Sequence, residues 1–425
     1  MEAQTRAEPI GLAEPSADRA LSLTEAKQIA FQRNWDLLAA KSGMDLAAAQ
    51  LILAREYPNP TVSLSTVKID AHGEGNSTPS GNGIWNRSYD TIAAVSQLVE
   101  IGGKRANRRA SARAGIAGAR ARFFEARRSL NQGMTKAYVA ALLAENNVQI
   151  LNDSARSLRH EAEIAASRFK AGDISDADKK QIENNADVFE LQAKSAKATA
   201  FQARMAVEIL MGVAQPKGKW KPADSLEQLA GAAPQQNKLA SGGARPDVLA
   251  AEADLKKSKA DVKLQKAIRI PDPIFSVQVE HNPPGPPGPD TVGLGVSFPL
   301  PIWNRNGGAI KAAEAAASQS ALALAKVKAQ VLSDIANAEV AYREASERLQ
   351  RYQSQIRPKS GKVRESVAFA FEKGGASLVD LLTAERDDNG IRLATAQAMS
   401  DSASAAADLE AAQNILSETE LNLLN

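Results

Sequence analysis

The residues that could do chemistry are few, and their spacing argues against most of it. The sequence has three histidines, His72, His160 and His281, and no cysteine. The histidines are scattered, so neither a transition-metal site nor a thiolate zinc site is expected. Lack of cysteine also removes disulfides, cysteine nucleophiles and, in this sequence, a lipid-modified N-terminal Cys. Asp173, Asp176 and Asp178 lie close together but lack the Gly and terminal Glu of a calcium loop. Gly102-Gly103-Lys104 lacks the spaced first glycine of a phosphate loop, and Gly293-Leu294-Gly295 belongs to an alternating strand. No nucleophile–base arrangement stands out. Arg108, Arg109, Arg127 and Arg128 read as a solvated helical face. The expectation is a chain that is not an enzyme, with no cofactor and no resident metal.

What does stand out is a repeat. Arg168-Phe169-Lys170-Ala171-Gly172-Asp173-Ile174-Ser175-Asp176-Ala177-Asp178 is answered by Ala370-Phe371-Glu372-Lys373-Gly374-Gly375-Ala376-Ser377-Leu378-Val379-Asp380. Phe, Gly, Ser and Asp each recur at an offset of 202 residues. A repeat at about half the chain length implies a duplicated unit, which governs architecture before any other signal.

The elements that position these segments follow from composition and periodicity. Apolar residues make up 44% of the 425, much of it Ala, and aromatics only 4%, which suits long, closely packed helices. Net charge is +3 from 52 basic and 49 acidic residues, giving no call for nucleic acid. No run of about 18 apolar residues occurs, so neither a transmembrane helix nor a signal peptide is expected. Met1-Glu2-Ala3-Gln4 reads as a mature start with an added Met. Residues 1–20 are expected to form a polar tail.

The first repeat, 21–212, starts with helix to Arg55, broken near Asn34. A β-hairpin follows over about 61–98, with a Gly/Asn/Ser loop from Asp70 to Asn86. Between Ser80 and Gln215 there is no proline, and a helix from Lys104 to Phe169 would run for about 100 Å at ~1.5 Å per residue. Its return leg ends near Met211-Gly212, making a hairpin over 104–212 with its tip near 172. Residues 213–244 read as a Gly/Pro/Gln-rich linker. The second repeat, 245–425, has a helix over Asp247–Ile268, a β-hairpin over about 274–299 and a helical hairpin over 308–423 with its tip near 374. The prolines from Pro283 to Pro289 mark its strand loop. Its first long helix is expected to stop before Pro358, with Gly307-Gly308 playing the part of Gly102-Gly103. The fold class is mainly α with a small β part.

Strands such as Phe275-Ser276-Val277-Gln278-Val279-Glu280 alternate in the manner of a membrane-barrel wall. Four strands cannot close a barrel, and open edges are not tolerated in lipid. Membrane-spanning strands would therefore require oligomers, eight strands from a dimer or twelve from a trimer. A small soluble sheet capping a coiled-coil scaffold satisfies the same pattern.

The duplicated order over residues 21–423, the tip repeat and the junction Gln97-Leu98-Val99-Glu100-Ile101-Gly102-Gly103-Lys104-Arg105 with its counterpart Phe298–Asn306 resemble TolC-type outer-membrane factors, in particular those serving heavy-metal efflux pumps of the RND type. The resemblance implies a homotrimer with a twelve-stranded outer-membrane β-barrel, four strands per chain, continuous with a long periplasmic α-helical barrel. It implies a passive duct docked to a periplasmic adaptor and an inner-membrane RND pump, exporting heavy-metal cations. A duct for type I protein secretion or drug efflux is the alternative. By matching position Phe169, Gly172, Ser175, Phe371, Gly374 and Ser377 would form the adaptor-docking tip. Asp380, Thr383 and Asp178 would line the periplasmic constriction. Phe371 stands where relatives can carry a locking hydroxyl, so a closed state must use other contacts.

Overall fold

The computed structural model describes residues 20–67, 90–232, 245–281 and 290–413. The N-terminal tail up to residue 19, the whole first strand loop with His72 (68–89), residues 233–244, the proline run and the chain beyond 413 lie outside the described residues.

A short strand β1 (Ala20–Leu21) leads into α1 (Leu23–Arg33) and α2 (Trp35–Arg55). Together these two are long and apolar enough to pass for a membrane span. The stretch is nevertheless two helices, since Asn34 breaks it. Its Oδ1 accepts from Leu37 N–H at 3.0 Å and its amide donates to Leu210 O at 3.0 Å. Strands β2 (Thr61–Val67) and β3 (Asp90–Leu98) follow, then α3 (Lys104–Ala171) and α4 (Asp176–Leu210). A connecting segment carries β4 (Lys221–Pro222) and α5 (Leu226–Gly231). The second half consists of α6 (Pro246–Ile268), β5 (Ile274–His281), β6 (Thr291–Ser297), α7 (Gly307–Arg351), α8 (Arg357–Glu372) and α9 (Leu378–Ala412).

The chain resolves into two compact units that do not follow the repeats. One takes residues up to 42, 121–247 and from 328 on; the other takes 43–120 and 248–327. Each draws on both halves of the sequence.

In the first unit the long helices pack on heptad stripes. Leu151, Ala155, Leu158, Ala162 and Ala165 of α3 alternate by four and three, as do Ile182, Ala186, Phe189 and Ala193 of α4. That spacing keeps one seam facing its neighbour over many turns. Small alanines let the helices approach closely. The connecting segment is not a passive linker. Trp220 is buried and stacks on Tyr138 with ring centroids 5.8 Å apart. The Tyr138 hydroxyl donates to Leu21 O at 2.7 Å, and β1 pairs in parallel with β4. Burial, then its bond with Asp224, pushes the Tyr138 phenol up.

Three expectations need correction. The helix after Gly308 does not end before Pro358. Residues Tyr352–Ile356 form one π-helical turn, after which α8 continues with Pro358 in its first turn. A proline in a regular α-helix clashes with the carbonyl four residues back and lacks the N–H for it. Widening the turn relieves the clash and re-phases the helix. Second, Gly307 and Gly308 already belong to α7; the left-handed residue of that junction is Asn306, φ 58°, whereas Gly102 and Gly103 have φ 71° and 76°. Third, the arginines are not a plain solvated face. Arg108 binds Glu100, Arg128 binds Glu125 and Ala411 O, and Arg127 stacks over Phe31 at 5.2 Å. Arg109 Nε is buried with no hydrogen-bond partner among the described residues.

Candidate functional site

The second unit holds a four-stranded antiparallel sheet ordered β2-β3-β5-β6. Its register sorts residues into rows that run across all four strands. Val62, Val95, Val277 and Leu294 share one row, and Leu64, Ala93, Val279 and Val292 the next on the same face. On the other face lie Thr61, Ser96, Ser276 and Gly295, then Ser63, Ala94, Gln278 and Gly293. Alternate residues point to opposite faces, so this sorting is enforced by strand geometry.

The burial of these faces is the reverse of a water-soluble sheet. Val62 is 77% exposed and Leu294 83%. The small and polar residues of β3, β5 and β6 on the opposite face are half-buried, except at the two ends of β6, where Thr291 and Ser297 are exposed. Glycine keeps that face low. A Cβ at Gly295 would come 2.6 Å from Ser276 Oγ, and one at Gly293 3.0 Å from Gln278. A sheet with bare valines and leucines outside and small polar residues inside suits lipid on one side and water on the other.

At the helix-side end of this sheet the junctions are tied by charge. Asp272 Oδ1 accepts from Ile101 N–H at 2.9 Å, and Asp272 pairs with the buried Lys104 at 2.7 Å. Asp272 is the middle residue of Pro271-Asp272-Pro273.

The second candidate region is the pair of helical tips in the first unit. Both turns are built identically. At the first, Asp173 N–H reaches Arg168 O at 3.0 Å and Gly172 takes φ 84°. At the second, Gly375 N–H reaches Ala370 O at 2.7 Å and Gly374 takes φ 78°. This is the helix-ending motif that a left-handed glycine permits. Ser175 and Ser377 then cap the outgoing helices. Each Oγ accepts from the backbone N–H three residues on, and each serine N–H donates to the carboxylate there, Asp178 or Asp380. The Ser-x-x-Asp of the repeat is thus a capping box, a signal present in the sequence and passed over there.

These bonds bear on the expected constriction. Asp380 is exposed, and its carboxyl is held below the usual range by the hydroxyl and then the backbone N–H of Ser377. Thr383 is exposed with its hydroxyl bonded back to Val379 O at 2.7 Å. Asp178 is half-buried in its own cap. Phe371, lacking a hydroxyl, makes a different contact. The Arg168 guanidinium lies 5.2 Å from its ring centre and donates to Glu372 O at 3.1 Å, joining the two tips. Phe169 carries Lys179 at 5.3 Å.

Sequence reasoning missed a polar layer above the second tip. Glu385, Asp388 and Asn389 are buried on α9. Arg364 of α8 donates to Glu385 at 3.3 Å, Ser360 to Asp388 at 2.8 Å, and Ser154 of α3 to Asn389 at 2.9 Å. Helical periodicity alone could not have paired them. Among the described residues no group of three ligating side chains converges on a metal. His160 lies 3.8 Å from Glu163 and His281 2.7 Å from Asp290, far apart in sequence and in different units.

Comparison with known proteins agrees with this architecture. The CmeC outer membrane channel of Campylobacter jejuni superposes with a TM-score of 0.78 at 19% identity, over 94% of this chain and 88% of that one. The CusC channel superposes with a TM-score of 0.74 at 17% identity, over 97% and 99%. The cobalt-zinc-cadmium resistance protein CzcC of Cupriavidus metallidurans is 25% identical over 373 residues, 86% of this chain and 83% of that protein. The model of the outer membrane efflux protein family matches residues 26–213 and 243–414. This chain therefore belongs to the outer membrane efflux protein family, and its sheet and long helices are those of an outer-membrane efflux channel.

Proposed function

We propose that three copies of the chain join their sheets edge to edge into one twelve-stranded barrel, forming a passive exit duct whose cargo is heavy-metal cations. The observation that carries this is the inverted sheet: its apolar rows are exposed, while the small and polar residues of β3 and β5 and the glycines of β6 on the other face are half-buried. Strands β2 and β6 are its edges among the described residues, and lipid does not tolerate unpaired strand edges. Exposed Leu46, Leu191 and Leu322 on α2, α4 and α7 give further copies an apolar surface to cover. The cargo reading is supported by the relative named for cobalt, zinc and cadmium resistance.

In this reading the helices lie in the periplasm and the strand loops outside the cell. The tips at Phe169, Gly172, Ser175, Phe371, Gly374 and Ser377 meet a periplasmic adaptor, which couples the duct to an inner-membrane RND pump. Among the described residues no atom comes within 4 Å of a Cβ placed at Gly172 or Gly374, leaving space there for a partner helix. Asp380, Thr383 and Asp178 narrow the periplasmic end. The duct performs no catalysis; the pump supplies the energy.

The protein mass of the detergent-solubilised particle tests the assembly. Three times the 45.1 kDa chain mass is expected. A monodisperse monomer or dimer, soluble without detergent, sinks the duct. The cargo is tested in cells making the adaptor and pump. Adding the chain should raise the cobalt, zinc or cadmium concentration tolerated. Unchanged tolerance beside an intact trimer would favour drug or protein export.

A further inference from the structure

We propose that Glu280 sets a cation preference at the outer mouth of the duct, an inference that rests on the three-copy barrel above. Among the described side chains of the four strands only Glu280 and His281 are ionisable. They point to opposite faces, because they are adjacent in one strand. His281 shares the register of Val279 and Val277 and is tied at 2.7 Å to Asp290, just before β6. Glu280 falls in the row Ser65, Ile92, Glu280 and Thr291, on the same face as Gln278 and Ser276. Among the described side chains of the strands it is therefore the one charged group turned towards the water-filled interior.

Its position along the strand matters as much as its face. Glu280 is the next-to-last residue of β5, at the end away from α6. Thr291 Oγ1 donates to its Oε2 at 3.5 Å, leaving the charge in place. The two rows beneath it hold only Ser63, Ala94, Gln278, Gly293 and Thr61, Ser96, Ser276, Gly295. No fixed cation on those rows offsets it. Closing three sheets into a barrel spaces three carboxylates around one ring, where like charges enrich cations and repel anions. The lumen is wet, so the ring acts over about 8 Å at physiological salt and about 3 Å at 1 M.

The test is the reversal potential of purified trimers in planar bilayers, with the dilute side facing the strand loops. Glu280→Gln should lower the cation-to-anion permeability ratio by about twofold in dilute salt and leave it unchanged near 1 M. Glu280→Asp should keep the native ratio, since it keeps the charge, and Glu280→Lys should invert the preference. A conducting trimer whose ratio ignores Glu280→Gln overturns the proposal, as does a ratio that moves only with Asp380→Asn. Wild-type trimers that never conduct would instead overturn the duct itself.

Discussion

The two helical hairpins end alike but are built differently above their tips. Both turns use a left-handed glycine and a serine–aspartate capping box. Above the first tip, α3 runs unbroken and meets α4 on an apolar heptad seam of Leu151, Ala155, Leu158, Ala186 and Phe189. Above the second, the incoming arm carries a π turn with Pro358 beyond it, and α9 buries Glu385, Asp388 and Asn389. Duplication has kept the endings and let the arms diverge. Apolar packing holds regardless of charge, whereas a buried polar layer holds only while every member keeps its partner. The second hairpin is thus the conditional one.

The largest effect should come from breaking that layer. Arg364→Ala leaves Glu385 and Asp388 buried without their cation. We expect a loss of about 2–3 kcal/mol, below the range for a fully buried pair because a third of the Arg364 side chain is in water. Hydrogen exchange across 381–389 reads the loss locally. The control is Arg159→Ala in the first arm, where Arg159 pairs with Asp187 and Glu190 on the surface. Surface pairs contribute little, so exchange over 182–193 should barely change. Equal losses in both arms would end the comparison.

The tips should respond equally. Gly172→Ala and Gly374→Ala each force a side chain into a left-handed backbone, which costs about 1 kcal/mol. Among the described residues neither added Cβ meets an atom within 4 Å, so strain is the whole effect. Thermal unfolding of the two variants should shift by similar amounts. A markedly larger shift at Gly374 would show that the second tip is crowded by another copy.

The repeat made the duplication, both hairpins and the placement of their tips legible in the sequence, because each rests on local rules: period-2 alternation, absence of proline, glycine at a helix end. The π turn was not legible. Pro358 signals a break, yet whether a helix stops or widens depends on what its far side packs against. Ser-x-x-Asp is legible as a capping box, because a hydroxyl and a carboxylate three residues apart answer each other's backbone N–H. The Arg364 layer, the Arg168–Phe371 contact and the Asp272–Lys104 pair join residues far apart in the chain, and periodicity does not choose partners across that distance. Arg128 misled for the same reason, since it reaches Ala411 O. The inner face of the wall was half visible: alternation gave Glu280 its face, but only the register showed that nothing charged shares its rows.

The smallest expected effect concerns the place where the two arms meet. Glu161 of α3 has its carboxyl pushed above the ordinary range, first by burial and then by Glu385 of α9; Glu372 adds to this, while His160 and Arg168 oppose it. A carboxyl with a raised folded value favours folding while protonated. Its contribution is intact below the ordinary glutamate value and is lost as pH rises through the raised one. Glu161→Gln mimics the protonated form. Near neutral pH it should slow exchange over 158–165, and that advantage should fade as pH falls towards the ordinary glutamate range. Arg364 is the cation beside Glu385, so removing it uncovers the repulsion between the two glutamates. The gain from Glu161→Gln should then be larger in an Arg364→Ala background, a coupling that a double-mutant cycle isolates. Additive effects would mean that the arms stand independently, and that the polar layer answers only to α8 and α9.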